Sequence, residues 1–173
     1  MTEGATLTKS DLIAALKASS EEVFRDLSGM TGDEFEAGRY ENGWNAREIL
    51  AHMASIEWTY PRLIDLAKNP PAAKEQSGGP PSKSVLGGIT SYNDRQVEKR
   101  AGSSPAELLE EFRNNRETTI RAVEETDEET LAKEVRSSGG FVGPLGQVLH
   151  WVAVDHVRSH LQDVLGERGN TAP

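Results

Sequence analysis

The chain has 173 residues and 36% hydrophobic content, enough for one domain with a sizeable core. Its 19 basic and 28 acidic residues give a formal charge of −9, which argues against generic nucleic-acid binding, where a basic surface neutralises phosphates. Cysteine is absent, which excludes disulfides, a cysteine nucleophile, iron–sulfur clusters and cysteine-ligated zinc together.

No apolar run approaches the ~18 residues a membrane span needs. The opening MTEGATLTKSDL has no basic stretch followed by an apolar one, so a cytoplasmic protein without a secretory leader is expected.

The spacing predicts a first helix from a capping box at Thr8 with Asp11 to about Leu27, with Leu12, Ile13, Leu16, Ala18, Val23 and Phe24 recurring at helical spacing. A polar connection from Thr31 to Gly43 carries one short turn around Asp33 to Phe35. A second helix starts at Asn45, with Glu48 in the capping-box position and an inner stripe of Ile49, Met53, Ile56, Tyr60 and Ile64. Pro61 lies within it and is expected to bend or loosen it, because proline lacks the donor and crowds the preceding turn. The stretch Asn69 to Ser84 holds four prolines and two glycines and reads as a flexible loop or lid.

A third helix is expected from Ser84 to about Arg100, its first turn weakened by Gly87 and Gly88. The fourth is signed by Ser104 as cap, Pro105 in the first position and Glu107 in the box, with Leu108, Leu109, Phe112, Thr119, Ile120 and Val123 inward. Asp127 to Leu131 adds a short turn, and Ser137 to Gly143 reads as a loop. The last helix is expected from Pro144 to Leu165, stopped by Gly166. No convincing strand emerges, so the fold expected is an all-α, four-helix bundle in a single domain over 1–173. A flexible loop at about 69–84 and a disordered tail at about 167–173 complete it.

On the last helix Leu145, Leu149, Val152, His156, His160 and Val164 follow one another in steps of three or four. Two histidines therefore occupy inward positions where the pattern calls for aliphatic residues, and imidazoles one turn apart can share a cation. His52 lies on the inner stripe of the second helix. Spacing leaves two readings: three core histidines, each needing its own hydrogen-bond partners, or one divalent cation shared by all three. His150 falls off this face and reads as a rim residue; Asp155 and Gln162 are also out of phase and read as solvated or supporting groups. Arg116, between Phe112 and Ile120, can reach inward to a substrate or cofactor carboxylate or snorkel to the rim, and Asn93 is a second candidate pocket residue. Trp44 and Trp58 read as packing residues.

Two segments carry a family resemblance: GWNAREILAHMASIEW, Gly43 to Trp58, and FVGPLGQVLHWVAVDHVRSHLQDV, Phe141 to Val164. Together they resemble the DinB superfamily of helical-bundle metalloproteins. The middle region, Tyr92-Asn93-Asp94-Arg95 followed by Ser104-Pro105-Ala106-Glu107-Leu108-Leu109, is similar to that of mycothiol-dependent maleylpyruvate isomerase-like proteins. The resemblance implies a divalent metal, zinc or nickel, on His52, His156 and His160. It also implies a low-molecular-weight thiol, mycothiol or bacillithiol, as cosubstrate in transfer or isomerisation on a small molecule. Other members are described as metal-dependent hydrolases, and a non-catalytic metal- or ligand-binding protein needs the same pocket. The partner expected is a small molecule, not a nucleic acid or a membrane; a homodimer is an option for an amphipathic bundle of this size, although no heptad pattern marks its face.

Overall fold

The structure, a computed structural model, describes residues 7–36, 44–69, 88–137 and 140–170, and the side chains among these except at 88–90 and 166–170. Three long helices start at reciprocal caps. In α1 (Lys9–Leu27) the Asp11 amide donates to Thr8 Oγ1 and the Asp11 carboxylate accepts from the Thr8 amide, both at 3.1 Å. In α3 (Ala46–Glu57) the Glu48 amide donates to Asn45 Oδ1 at 2.9 Å, and Glu48 accepts from the Asn45 amide at 3.3 Å. Ser104 and Glu107 do the same for α6 (Pro105–Glu124), with Pro105 in the first turn. Each pair satisfies amides that the helix cannot, worth about 1 kcal/mol per cap.

The short helix α2 (Gly32–Glu36) buries Phe35. Pro61 does more than bend the second helix: α3 ends at Glu57 and α4 (Thr59–Lys68) restarts after Trp58. The break falls where the missing Pro61 donor would have met the Glu57 carbonyl. Helix α5 spans Gly88–Lys99. The expected start at Ser84 and nearly all of the expected loop at 69–84 lie outside the described residues. Asp127 caps α7 (Glu128–Leu131) through a 2.7 Å bond from the Thr130 amide.

The segment expected as a loop around 137–143 instead closes a two-stranded antiparallel hairpin, β1 (Glu134–Arg136) with β2 (Val142–Pro144). Three residues per strand are too few to show alternation, so the pairing leaves no periodic trace in the sequence. Gly140, at φ +90°, takes the left-handed conformation inside the hairpin loop.

The last helix departs from expectation twice. After α8 (Leu145–His150) it passes through a π-helical turn (Trp151–Asp155) before α9 (His156–Asn170). It also runs past Gly166 to Asn170, so the predicted stop and the start of the predicted tail are corrected; one interior glycine costs only about 1 kcal/mol. Residues 171–173 lie outside the described ones.

Helices α1, α3 with α4, α6 and the α8–α9 rod form a four-helix bundle, with α5 packed on α3 and α6 packed on α1, α3 and α4. The apolar interior falls into two clusters. One holds Val23, Leu27, Ile49, Met53, Val97, Phe112, Val157 and Leu161. The other holds Leu12, Leu16, Tyr60, Ile64, Val123, Leu145, Leu149 and Val152. On α1, α3 and α6 a buried polar residue sits where one cluster gives way to the next: Ser19, Glu57 and Arg116. No helix among the described residues is long and apolar enough to cross a membrane.

Candidate metal centre

His52, His156 and His160 meet. One ring nitrogen from each lies within 4.8 Å of the others. Ring centroids are 5.6 Å apart for His52 and His156, 5.0 Å for His52 and His160, and 4.4 Å for His156 and His160. His52 is buried in the middle of α3, whereas His156 and His160, one turn apart on α9, are half-buried. His52 Nδ1 and His160 Nε2 are buried with no hydrogen-bond partner among the described residues. Unpaired buried nitrogens are costly, and a cation shared by the cluster relieves those that face it. Two nitrogens on one tetrahedral zinc stand ~3.4 Å apart, from bonds of about 2.0–2.1 Å, so small ring rotations close the set onto an ion. The residues present therefore fit a divalent metal.

Burial sets the electrostatics. It pushes His52 down to about 3, with the neighbouring His160 and His156 adding to the effect. It takes His160 down to about 4, again helped by His156, and it also lowers His156. At neutral pH all three rings are uncharged and their lone pairs available, which metal binding requires.

The sequence pattern put the two α9 histidines at the centre of the apolar face; the structure puts them at its edge. Upstream of the π-helical turn the buried stripe is Leu145, Val148, Leu149 and Val152; downstream it is Val157, Leu161 and Val164. The two stripes differ by about one residue of rotation, roughly 100°. An extra residue in the turn absorbs the slip, and it leaves His156 and His160 beside the core facing His52 rather than within it.

Trp44 is the neighbour that the sequence did not mark as part of the site. It is buried, and its indole lies 5.2 Å from the His52 ring. Its place just before the Asn45 cap suits a residue that staples a helix start, so spacing alone offered no functional signal. Trp58 is partly exposed and donates its Nε1 to Tyr92 Oη at 2.9 Å. His150 stays on the rim, 3.2 Å from the exposed Asp155 carboxylate; Gln162 is exposed.

Arg116, expected as a carboxylate-binding residue of the pocket, is 1% exposed and committed to protein acceptors. Its Nε stands 2.6 Å from Glu57 Oε1, and Nη2 donates to Glu57 Oε2 at 3.2 Å and to the Ala153 carbonyl at 2.7 Å. Nη1 donates to the Leu16 carbonyl and Ser19 Oγ. Nη1 and Nη2 thus donate to protein acceptors, and Nε is paired with the Glu57 carboxylate, although neither Nε nor Oε1 makes a hydrogen bond among the described residues. The guanidinium is taken up by the protein, and the expectation is corrected. Asn93 is half-buried on α5, and its Oδ1 has no partner among the described residues; no described contact joins it to the three histidines.

No curated protein matches the chain at a significant level. Among solved structures, the mycothiol-dependent maleylpyruvate isomerase superposes with a TM-score of 0.71 at 19% identity, over 95% of this chain. A histidine-to-alanine mutant of that isomerase gives 0.72 at the same identity and coverage. This chain spans 63% of the isomerase's length. YfiT from Bacillus subtilis, described as a probable metal-dependent hydrolase with an unusual four-helix bundle topology, gives 0.67 at 14% identity, over 99% of this chain and 93% of its own. At such identities the likeness shows the fold. Residues 16–165 also match the family described as the mycothiol maleylpyruvate isomerase N-terminal domain, from α1 to the end of the Val164 stripe, and the chain belongs to that family.

Proposed function

We propose that this chain is a divalent-metal-dependent enzyme in which His52, His156 and His160 hold the ion, and that it activates a low-molecular-weight thiol of the mycothiol or bacillithiol type for transfer to a small electrophile. The observation that carries the reading is the cluster: three imidazole donors within 4.8 Å, two of their buried nitrogens otherwise unsatisfied. Three neutral ligands that leave a coordination position open are the pattern of catalytic sites rather than closed structural ones. Zinc or nickel bound there supplies Lewis acidity that favours the thiolate form of a thiol, the competent nucleophile. Burial keeps the three imidazoles unprotonated near pH 7. The half-buried faces of His156 and His160 leave one side of the cluster accessible, while Trp44 shields His52 on another. Because the chain has no cysteine, the thiol enters as a separate molecule. Membership of a family described by mycothiol supports that choice of cosubstrate.

A second reading, hydrolysis by an activated water, is favoured by the fold shared with YfiT. One assay separates the two. Zinc- or nickel-loaded protein is mixed with a bromoalkyl reporter, with and without mycothiol or bacillithiol; the sulfur displaces bromide as the carbon–sulfur bond forms. Turnover that needs protein, metal and thiol together is the expected result. Metal-dependent cleavage of an ester reporter without any thiol would replace it with the hydrolase reading. Stoichiometric metal binding without either reaction would make the chain a binding protein.

A further inference from the structure

The π-helical turn is held from outside the helix. The His156 amide donates to the Trp151 carbonyl, five residues back, rather than to Val152 as an α-helix requires. The Val152 carbonyl, deprived of that donor and buried, accepts instead from Tyr60 Oη at 2.8 Å. Next to it, the Ala153 carbonyl accepts from Arg116 Nη2 at 2.7 Å. Burial pushes the Tyr60 phenol up, so it is a neutral donor. Arg116 is itself fixed by Glu57, at the end of the helix that carries His52. One chain of contacts thus runs from α3 through Glu57 and Arg116 to the turn that immediately precedes His156.

We infer that Tyr60 and the Glu57–Arg116 pair are positioning residues for the proposed metal centre: by donating to the carbonyls of Val152 and Ala153 they hold the π-helical turn, and the turn sets the rotation that aims His156 and His160 at His52. The inference rests on the metal reading of the three histidines. If the turn relaxes to a regular helix, everything downstream rotates by roughly 100° and the ring nitrogens leave their common point. Upstream of the turn Leu145, Leu149 and Val152 lie in one apolar cluster and downstream Val157, Leu161 and Val164 lie in the other, so the turn is the point at which the rod passes from one cluster to the next.

The test is cobalt(II) titration of Tyr60→Phe, which removes one hydroxyl, beside Arg116→Lys, which keeps the charge opposite Glu57 but not the fork that also reaches Ala153. A third variant, Val123→Ala, loosens the apolar cluster that contains Tyr60 and the turn but removes none of the hydrogen bonds to the turn's carbonyls. Affinity falling about 10–100-fold in the first two, with an altered cobalt absorption spectrum, and staying near the parent's in the third is the expected result. If Tyr60→Phe and Arg116→Lys, folded by circular dichroism, bind cobalt with the parent's affinity and spectrum, the inference is overturned. A parent that takes up no cobalt sinks the metal reading instead. The positioning claim is then judged by hydrogen exchange: faster exchange of the Val152 to Val157 amides in Tyr60→Phe, but not in Val123→Ala, upholds it, and unchanged exchange overturns it.

Discussion

Each imidazole of the cluster sits where burial works against its protonated form, and that has a consequence for stability. His52 and His160 take up protons only near pH 3 and 4 when the protein is folded, but near 6.5 when it is unfolded. Between those limits the unfolded chain binds more protons, so acidification favours unfolding. The metal-free protein is expected to lose stability as pH falls below 6.5, before most carboxylates titrate. Urea midpoints at pH 7.0 and pH 5.5 check this: the parent's should fall, and a variant carrying His52→Leu and His160→Leu should change less. Equal shifts in the two proteins would show that the histidines are not held neutral by burial.

Between elements, the buried polar layer is the feature most sensitive to single changes. Glu57 and Arg116 are both almost wholly buried, and burial pushes the Glu57 carboxyl up against the pull of the guanidinium. Removing one partner strands the other. Arg116→Met should cost roughly 3–5 kcal/mol in urea unfolding, whereas Glu57→Leu combined with Arg116→Met should recover most of it. A single variant no worse than the double one would mean that the pair is not desolvated as the structure has it. The caps of α1, α3 and α6 were legible in the sequence because a capping box is a local signal three residues long. Arg116 was legible as an inward residue but not as an ion pair, since Glu57 is 59 positions away on another helix. The hairpin was illegible at three residues per strand, and the π-helical turn left only a slip in the apolar stripe. That slip, from Leu149 and Val152 to Val157 and Leu161, was present in the sequence but masked by His156 and His160, which continue the upstream phase without interruption.

For the molecule as a whole, helical periodicity and capping determined the bundle, and the family match over residues 16–165 agrees with it. The three histidines could be named from their phase on two helices, because a bundle brings inner faces together. Their exact neighbours could not: Trp44 over His52, and the half-buried edge position of His156 and His160, depend on how the last helix is wound. The central claim is that these three side chains hold one divalent ion. Elemental analysis of the purified, untagged protein beside a His156→Ala, His160→Ala double variant tests it most directly. About one equivalent of metal in the parent and almost none in the variant is the expected result. A parent that carries no metal and takes up neither zinc nor nickel at neutral pH would contradict it.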